Sequence, residues 1–247
     1  MGFIGSLFNT ILYQPLFNAL IILYVFLPGH DFGLSIIILT AVIRIILFPL
    51  MAGSIRAQKV LSEIQPKLKE IQQKFKDDRE RQMRETMALY RENKINPFGS
   101  LLPLLVQLPI LFALYRVFWK GLNPGEMANL YGFVPNPGSI DPTFLGIVDL
   151  AQPSLILALL AGAAQFFQAK MMTKRQQKPV DKNDRGANIS NMMSKQMLYF
   201  FPLFTVLILW KLPAAIGLYW ITTSLFTILQ QYLILKKQNN SPNVQSR

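Results

Sequence analysis

The chain has 247 residues, 51% of them hydrophobic and 15% charged, with a mean hydropathy of +0.30, a balance that belongs to polytopic membrane proteins and fits a single bundle. It has no cysteine and one histidine, His30, which excludes disulfides, thiolate metal sites, Cys nucleophiles, lipid attachment through Cys and multi-His metal sites, so neither a metal nor a cofactor is expected. Net charge is +12; in such a chain this raises the question of which side of the membrane holds the basic residues, and no direct nucleic-acid readout is expected.

Residues 1–29 contain no Lys or Arg and no small-residue cleavage pattern before the first apolar run, so they read as mature sequence and not as a cleaved signal. Residues 7–27 are uncharged, but Asn9, Gln14 and Asn18 interrupt them and Pro15 splits them. The pattern predicts an amphipathic helix lying in the extracytoplasmic interface, with Phe17, Leu20, Ile21 and Tyr24 on its buried face; a true span is the alternative. Residues 30–55 hold the first predicted span, around the run LSIIILTAVIRIILFPLM from Leu34 to Met51. At about 1.5 Å rise per residue the run crosses most of a hydrocarbon core of about 30 Å. Arg44 sits near its middle, where a permanent charge costs about 3 kcal/mol or more, so it needs solvating groups or a wet cavity.

Residues 56–95 change character. Between 56 and 94 there are eleven basic residues, including Arg56, Lys59, Lys67, Lys69, Lys74 and Lys76, against seven acids. Leu61, Ile64, Leu68, Ile71 and Phe75 recur at spacings of three and four, the seam of a coiled coil. Met83, Met87 and Tyr90 continue the spacing after Asp77 and Asp78, predicting a helical hairpin standing in water, with Pro66 kinking or loosening its first arm. Its basic excess suits a docking surface for a ribosome, lipid headgroups or another partner; a plain solvated spacer is the alternative.

Asn96-Pro97 is a helix start signal, and residues 96–119 form the second predicted span, interrupted by Pro103, Gln107 and Pro109. Residues 120–150 are a Gly- and Pro-rich extracytoplasmic loop. The third span, 151–169, carries Ala161, Gly162, Ala163 and Ala164 as a small-residue face for close packing. A basic cytoplasmic loop, 170–195, leads to spans four (196–211) and five (212–235) and a short tail, 236–247. Basic residues crowd the loops after spans one and three and the tail, while the loops after spans two and four hold one Lys each. The positive-inside rule then puts the N-terminus outside and the C-terminus in the cytoplasm. The apolar runs of spans three and four, about 26 Å and 21 Å as helices, fall short of the core thickness and favour a thinned or wetted bilayer around Arg44.

No carboxylate lies within the apolar run of any span, so hydroxyls, amides, carbonyls or water must solvate Arg44. Thr40 lies one turn before it on the same face, and Gln107, Gln165, Gln168, Thr205, Tyr219, Thr222, Thr223, Ser224, Thr227 and Gln230 are polar groups on other spans. The lack of intramembrane acids and histidines disfavours a proton-driven pump or a hydrolase. A positive charge in a hydrated pocket, exposed to acidic and transient visitors, remains as the functional reading; an arginine held structurally by helix-end carbonyls, or a small-solute channel using the same groove, are the alternatives.

The succession ILTAVIRIILFPL, IQPKLKEIQQKFKDD, INPFGSLLPLLVQLPILFALYRVF and KLPAAIGLYWITTSLFTILQQ resembles the YidC family of membrane protein insertases, related to the Oxa and Alb proteins, over nearly all of the chain. The resemblance implies a five-helix all-α core with a cytoplasmic helical hairpin, in the bacterial plasma membrane, and a hydrophilic groove open to cytoplasm and lipid. It places the groove arginine at Arg44, its threonine at Thr40 and the aromatic pair of the last span at Tyr219 and Trp220. Nascent membrane proteins would be the partners, with the Sec translocon and the ribosome as further candidates, and the sequence carries no P-loop that would couple the work to a nucleotide. Where the family often has Pro-Ser-Gly or Pro-Ala-Gly before the last span, this chain has Pro213-Ala214-Ala215.

Overall fold

The computed structural model describes residues 2–94, 96, 99, 102–173 and 196–239, and most of them are helical. The helices are α1 (Phe3–Phe8), α2 (Gln14–Phe26), α3 (Phe32–Ile46), α4 (Phe48–Lys74), α5 (Arg79–Glu92), α6 (Leu102–Lys120), α7 (Leu155–Thr173), α8 (Phe201–Leu209) and α9 (Ala214–Asn239). The only strands among the described residues are β1 (Thr143–Phe144) and β2 (Val148–Asp149), an antiparallel pair pairing Thr143 with Asp149 and Phe144 with Val148. Two-residue strands are too short to show alternation, which is why the 120–150 loop gave no such signal. The expected Pro97 helix start, the basic residues from Lys174 to Lys195 and the tail beyond Asn239 lie outside the described residues.

The described chain forms two compact units. The first comprises Met1–Ile46, Leu104–Gln165 and Leu203–Phe226. Its core gathers Phe17, Leu20 and Ile21 of α2, Phe32, Ile36 and Leu39 of α3, Leu114, Val117 and Phe118 of α6, Leu157, Ala158 and Ala161 of α7, and Ile216, Leu218 and Tyr219 of α9. The face expected for the first helix is therefore the right one, but Phe17, Leu20, Ile21 and Tyr24 are buried against protein. A π-helical turn, Asn9–Tyr13, joins α1 to α2, and the run Gly5–Phe26 is by length and hydropathy long enough to cross a membrane. Of the expected small-residue face, Ala161, Gly162 and Ala164 are buried while Ala163 is exposed; a Cβ added at Gly217 would lie 3.4 Å from the Leu157 Cβ, so it is Gly217 that lets α9 approach α7. The first amides of α9 are satisfied by the preceding loop: Ala214 N–H donates to the Gln152 carbonyl at 2.9 Å and Ala215 N–H to the Leu150 carbonyl at 3.0 Å.

The run 34–51 is not one helix. α3 ends at Ile46, Leu47 adopts φ −82 and ψ −2, and α4 restarts with Pro49 in its first turn. Proline lacks an N–H and its ring opposes the carbonyl four residues back, so continuing α3 through Pro49 would cost about 3 kcal/mol. By contrast, α4 continues without a break through Pro66.

The second unit comprises Leu47–Pro103, Phe166–Pro202 and Thr227–Arg247. Within it α4 and α5 pair through Ile64, Leu68 and Leu89, flanked by Val60, Leu61, Ile71 and Tyr90. Asp78 caps α5 by accepting the Arg81 N–H at 2.9 Å, and Gln82 Nε2 reaches the Gln72 carbonyl at 3.1 Å across the turn. The expected seam is corrected in its second arm, where Met83 and Met87 are exposed and Leu89 takes the inward position. The turn resets the register, which a period counted across it cannot anticipate. Phe75 is covered by the cations of Lys74 and Arg81, at 5.6 and 4.8 Å from its ring centre. A second small cluster joins Ala52 and Ile55 of α4 to Ile234 of α9.

Candidate functional site

Arg44 lies about 18 Å along α3 from Phe32, at 1.5 Å per residue. Only 7% of its surface is accessible, which corrects the expectation of an exposed charge: the guanidinium is enclosed by neighbouring helices. Its Nη2 donates to Gln107 Oε1 of α6 at 3.2 Å, and Gln107 Nε2 in turn donates to the Tyr219 hydroxyl of α9. Three helices thus contribute one polar side chain each to a single chain of hydrogen bonds. An amide suits the middle position because it accepts from the guanidinium and donates onward. α3, α6, α7, α8 and α9 contain no Asp or Glu, so these helices supply no carboxylate to the charge. Thr223, one turn beyond Tyr219 on the same helix face, extends the strip; its type and place in the last span were visible in the sequence.

Thr40 is buried, as the strip requires, yet its hydroxyl donates to the Ile36 carbonyl at 2.6 Å on its own helix. Its role toward Arg44 is confined to the lone pairs it retains. Trp220 turns away from Tyr219, and its Nε1–H donates to Gln165 Oε1 of α7 at 3.1 Å. Adjacent helical residues point about 100° apart, so the aromatic pair splits into two polar contacts. Gln168, half-buried on α7, enters neither among the described residues. On the α4–α5 hairpin, Arg56, Lys67, Lys74 and Lys76 are exposed, while Lys59 and Lys69 are half-buried, Lys59 pairing with Glu63 at 3.7 Å.

Sequence reading missed a second polar assembly. It treated Asn18 as an interruption of an apolar helix, whereas Asn18 is 1% exposed and serves as a hub. Its amide donates to the carbonyls of Gln14 at 2.8 Å and Asn129 at 3.2 Å, and its Oδ1 accepts the Tyr131 N–H at 2.7 Å. Around it, the Tyr13 hydroxyl donates to Glu126 at 2.6 Å, Gln14 to the Asn129 carbonyl at 3.1 Å, and the Asp141 N–H to the Tyr24 hydroxyl at 2.9 Å. Asp31 closes the series. One carboxylate oxygen caps α3 at the Leu34 N–H, 2.7 Å away, and the other accepts the Leu145 N–H of the β-turn at 2.5 Å. No local signal marks such a hub, because its loop partners Asn129 and Tyr131 lie more than a hundred residues away.

These features define a helical membrane protein built around a buried arginine. A family model described as 60Kd inner membrane protein matches residues 23–241. A protein of Fusobacterium nucleatum named membrane protein insertase YidC is 37% identical over 84% of this chain and 87% of its own length. One of the same name from Clostridium tetani is 36% identical over 87% of each. A third, from Magnetococcus marinus, is 32% identical over 87% of this chain but only 34% of its own length. The chain belongs to the YidC family of 60Kd inner membrane proteins.

Proposed function

We propose that this chain is a membrane protein insertase of the bacterial plasma membrane, inserting and helping to fold integral membrane proteins through a hydrophilic groove open to cytoplasm and lipid, without nucleotide hydrolysis. Family membership supports the insertase reading, since the relatives above carry that name. The observation that carries the mechanism is Arg44, buried and bonded to Gln107 among helices that contain no acid. Hydrogen bonding through Gln107 to Tyr219 holds the guanidinium in place, and a positive charge held there suits acidic visitors. Acidic residues in the translocated segment of a substrate are drawn toward it, and partition of the substrate's apolar span into lipid drives release. Thr40, Gln107, Gln165, Gln168, Tyr219 and Trp220 line the path. The exposed basic residues of the α4–α5 hairpin, Arg56, Lys67, Lys74 and Lys76 with Lys59 and Lys69, receive the nascent chain and offer a surface to the ribosome or the Sec translocon. The absence of a P-loop from the sequence supports independence from nucleotides.

Five helical segments cross the membrane in this reading, at 30–55, 96–119, 151–169, 196–211 and 212–235, with the N-terminus outside and the C-terminus in the cytoplasm. The first helix lies on the outer face. Its support is the direction of its hydrogen bonds: Tyr13, Gln14, Asn18 and Tyr24 all bond to one loop between Glu126 and Asp141. These positions extend over about 16 Å of helix, and a helix crossing the bilayer would leave such a loop behind after a turn or two.

Reconstitution tests the function. Proteoliposomes holding the purified protein should insert a single-span substrate, scored by protease protection, well above protein-free liposomes and without added nucleotide. Photocrosslinkers at positions 44 and 220 should capture that substrate. Insertion no better than in protein-free liposomes, or small-solute flux in its place, contradicts the reading.

A further inference from the structure

The turn joining β1 to β2 presents two large apolar side chains to the outside: Leu145 is 58% exposed and Ile147 83%. The turn closes through the Ile147 N–H donating to the Phe144 carbonyl at 3.0 Å, and both central residues have positive φ, Leu145 at 52° and Gly146 at 67°. Glycine accepts this conformation freely, and Asn or Asp would be the usual companion; leucine is among the residues least suited to it. An apolar side chain is thus kept exposed at a position where a polar one would relieve the backbone.

The turn is also fixed in place. Asp31 bonds the Leu145 N–H and the α3 N-terminus at once, and any Cβ at Gly33 would run into the Phe144 ring, so the glycine lets β1 lie against α3. The nearby carboxylates bond back to their own loop and stay at its exposed base: Asp141 accepts from the Thr143 N–H at 3.0 Å and Asp149 from the Ala151 N–H at 2.8 Å. Two side chains cannot supply the roughly 800 Å² per partner of a stable protein interface, but in a chain already held in the bilayer their burial among lipid adds directly to membrane contact.

We propose that the Leu145–Ile147 tip inserts into the outer leaflet of the bilayer and, through Asp31, sets the depth of α3 and hence of Arg44. The proposal rests on the reading that α3 begins at the outer membrane face. The chain has no cysteine of its own, so single-cysteine spin labelling is direct. Ile147→Cys and, as control on the same loop, the exposed Ser139→Cys are labelled with a nitroxide in nanodiscs and compared for collision with oxygen and with a water-soluble nickel chelate. The tip should favour oxygen several-fold over nickel, with the order reversed at Ser139→Cys. Equal nickel access at both positions overturns the anchor, and so does shielding of the tip from both reagents, which would mean a protein partner. Reaction of Ser139→Cys with an impermeant maleimide from outside intact cells keeps the topology standing in either case, whereas labelling only from the cytoplasmic side overturns the topology and the anchor with it.

Discussion

The two units are stabilised to very different degrees. The first packs 23 buried apolar residues into one cluster and adds the Asn18 and Asp31 networks, whereas the described part of the second has two clusters of three buried residues each. The first is therefore built to hold side chains at fixed positions, Arg44 among them. The hairpin, with one thin seam and long solvated arms, sits at the low end of local stability, where segments that open and rearrange are drawn from.

Mutations sharpen the contrast, beginning with the largest effect. Asn18→Ala strands the Tyr131 N–H and removes a donor from the Asn129 carbonyl, and should cost about 3 kcal/mol. A lowered and broadened thermal transition in detergent is the expected readout, and an unchanged one would show that the polar hub is dispensable. Gly33→Ala should cost about 2 kcal/mol by overpacking against Phe144, and combining it with Phe144→Ala should recover part of the loss. If the double variant is simply the sum of the two singles, the two residues do not conflict.

Ile64→Ala should cost about 2 kcal/mol, the low end for a buried aliphatic truncation. Its effect should be local: hydrogen exchange rises across 56–94 while residues 13–31 keep their protection. Loss of protection in both would show that the hairpin is not energetically separate. The smallest effect belongs to the pair of half-buried Lys59 and exposed Glu63, 3.7 Å apart, where Glu63→Ala should change stability by less than about 0.5 kcal/mol.

Much of the bundle was legible in the sequence because apolar runs and the polar residues inside them are local signals. Arg44, Thr40, Gln107 and Tyr219 stood out for that reason, and the structure joins Arg44, Gln107 and Tyr219 in one chain of hydrogen bonds. What stayed hidden depends on distant partners or on register. Asn18 reads as a flaw until the loop 113 residues away is in place, Leu89 replaces Met83 and Met87 because a turn reset the phase, and the break at Leu47 required weighing Pro49 over the hydropathy of its neighbours. Burial of Arg44 itself could not be read from one helix, since it depends on how closely its neighbours approach.

The central claim is that the charge at Arg44 attracts acidic residues of a substrate. It is tested by inserting a single-span substrate with acidic residues in its translocated segment, and the same substrate with those residues replaced by Asn, into proteoliposomes of native, Arg44→Ala and Arg44→Lys protein. The account predicts a loss of about tenfold, or about 1.4 kcal/mol, for Arg44→Ala with the acidic substrate, most activity retained by Arg44→Lys, and little change with the neutral substrate. An equal effect of Arg44→Ala on both substrates would contradict it.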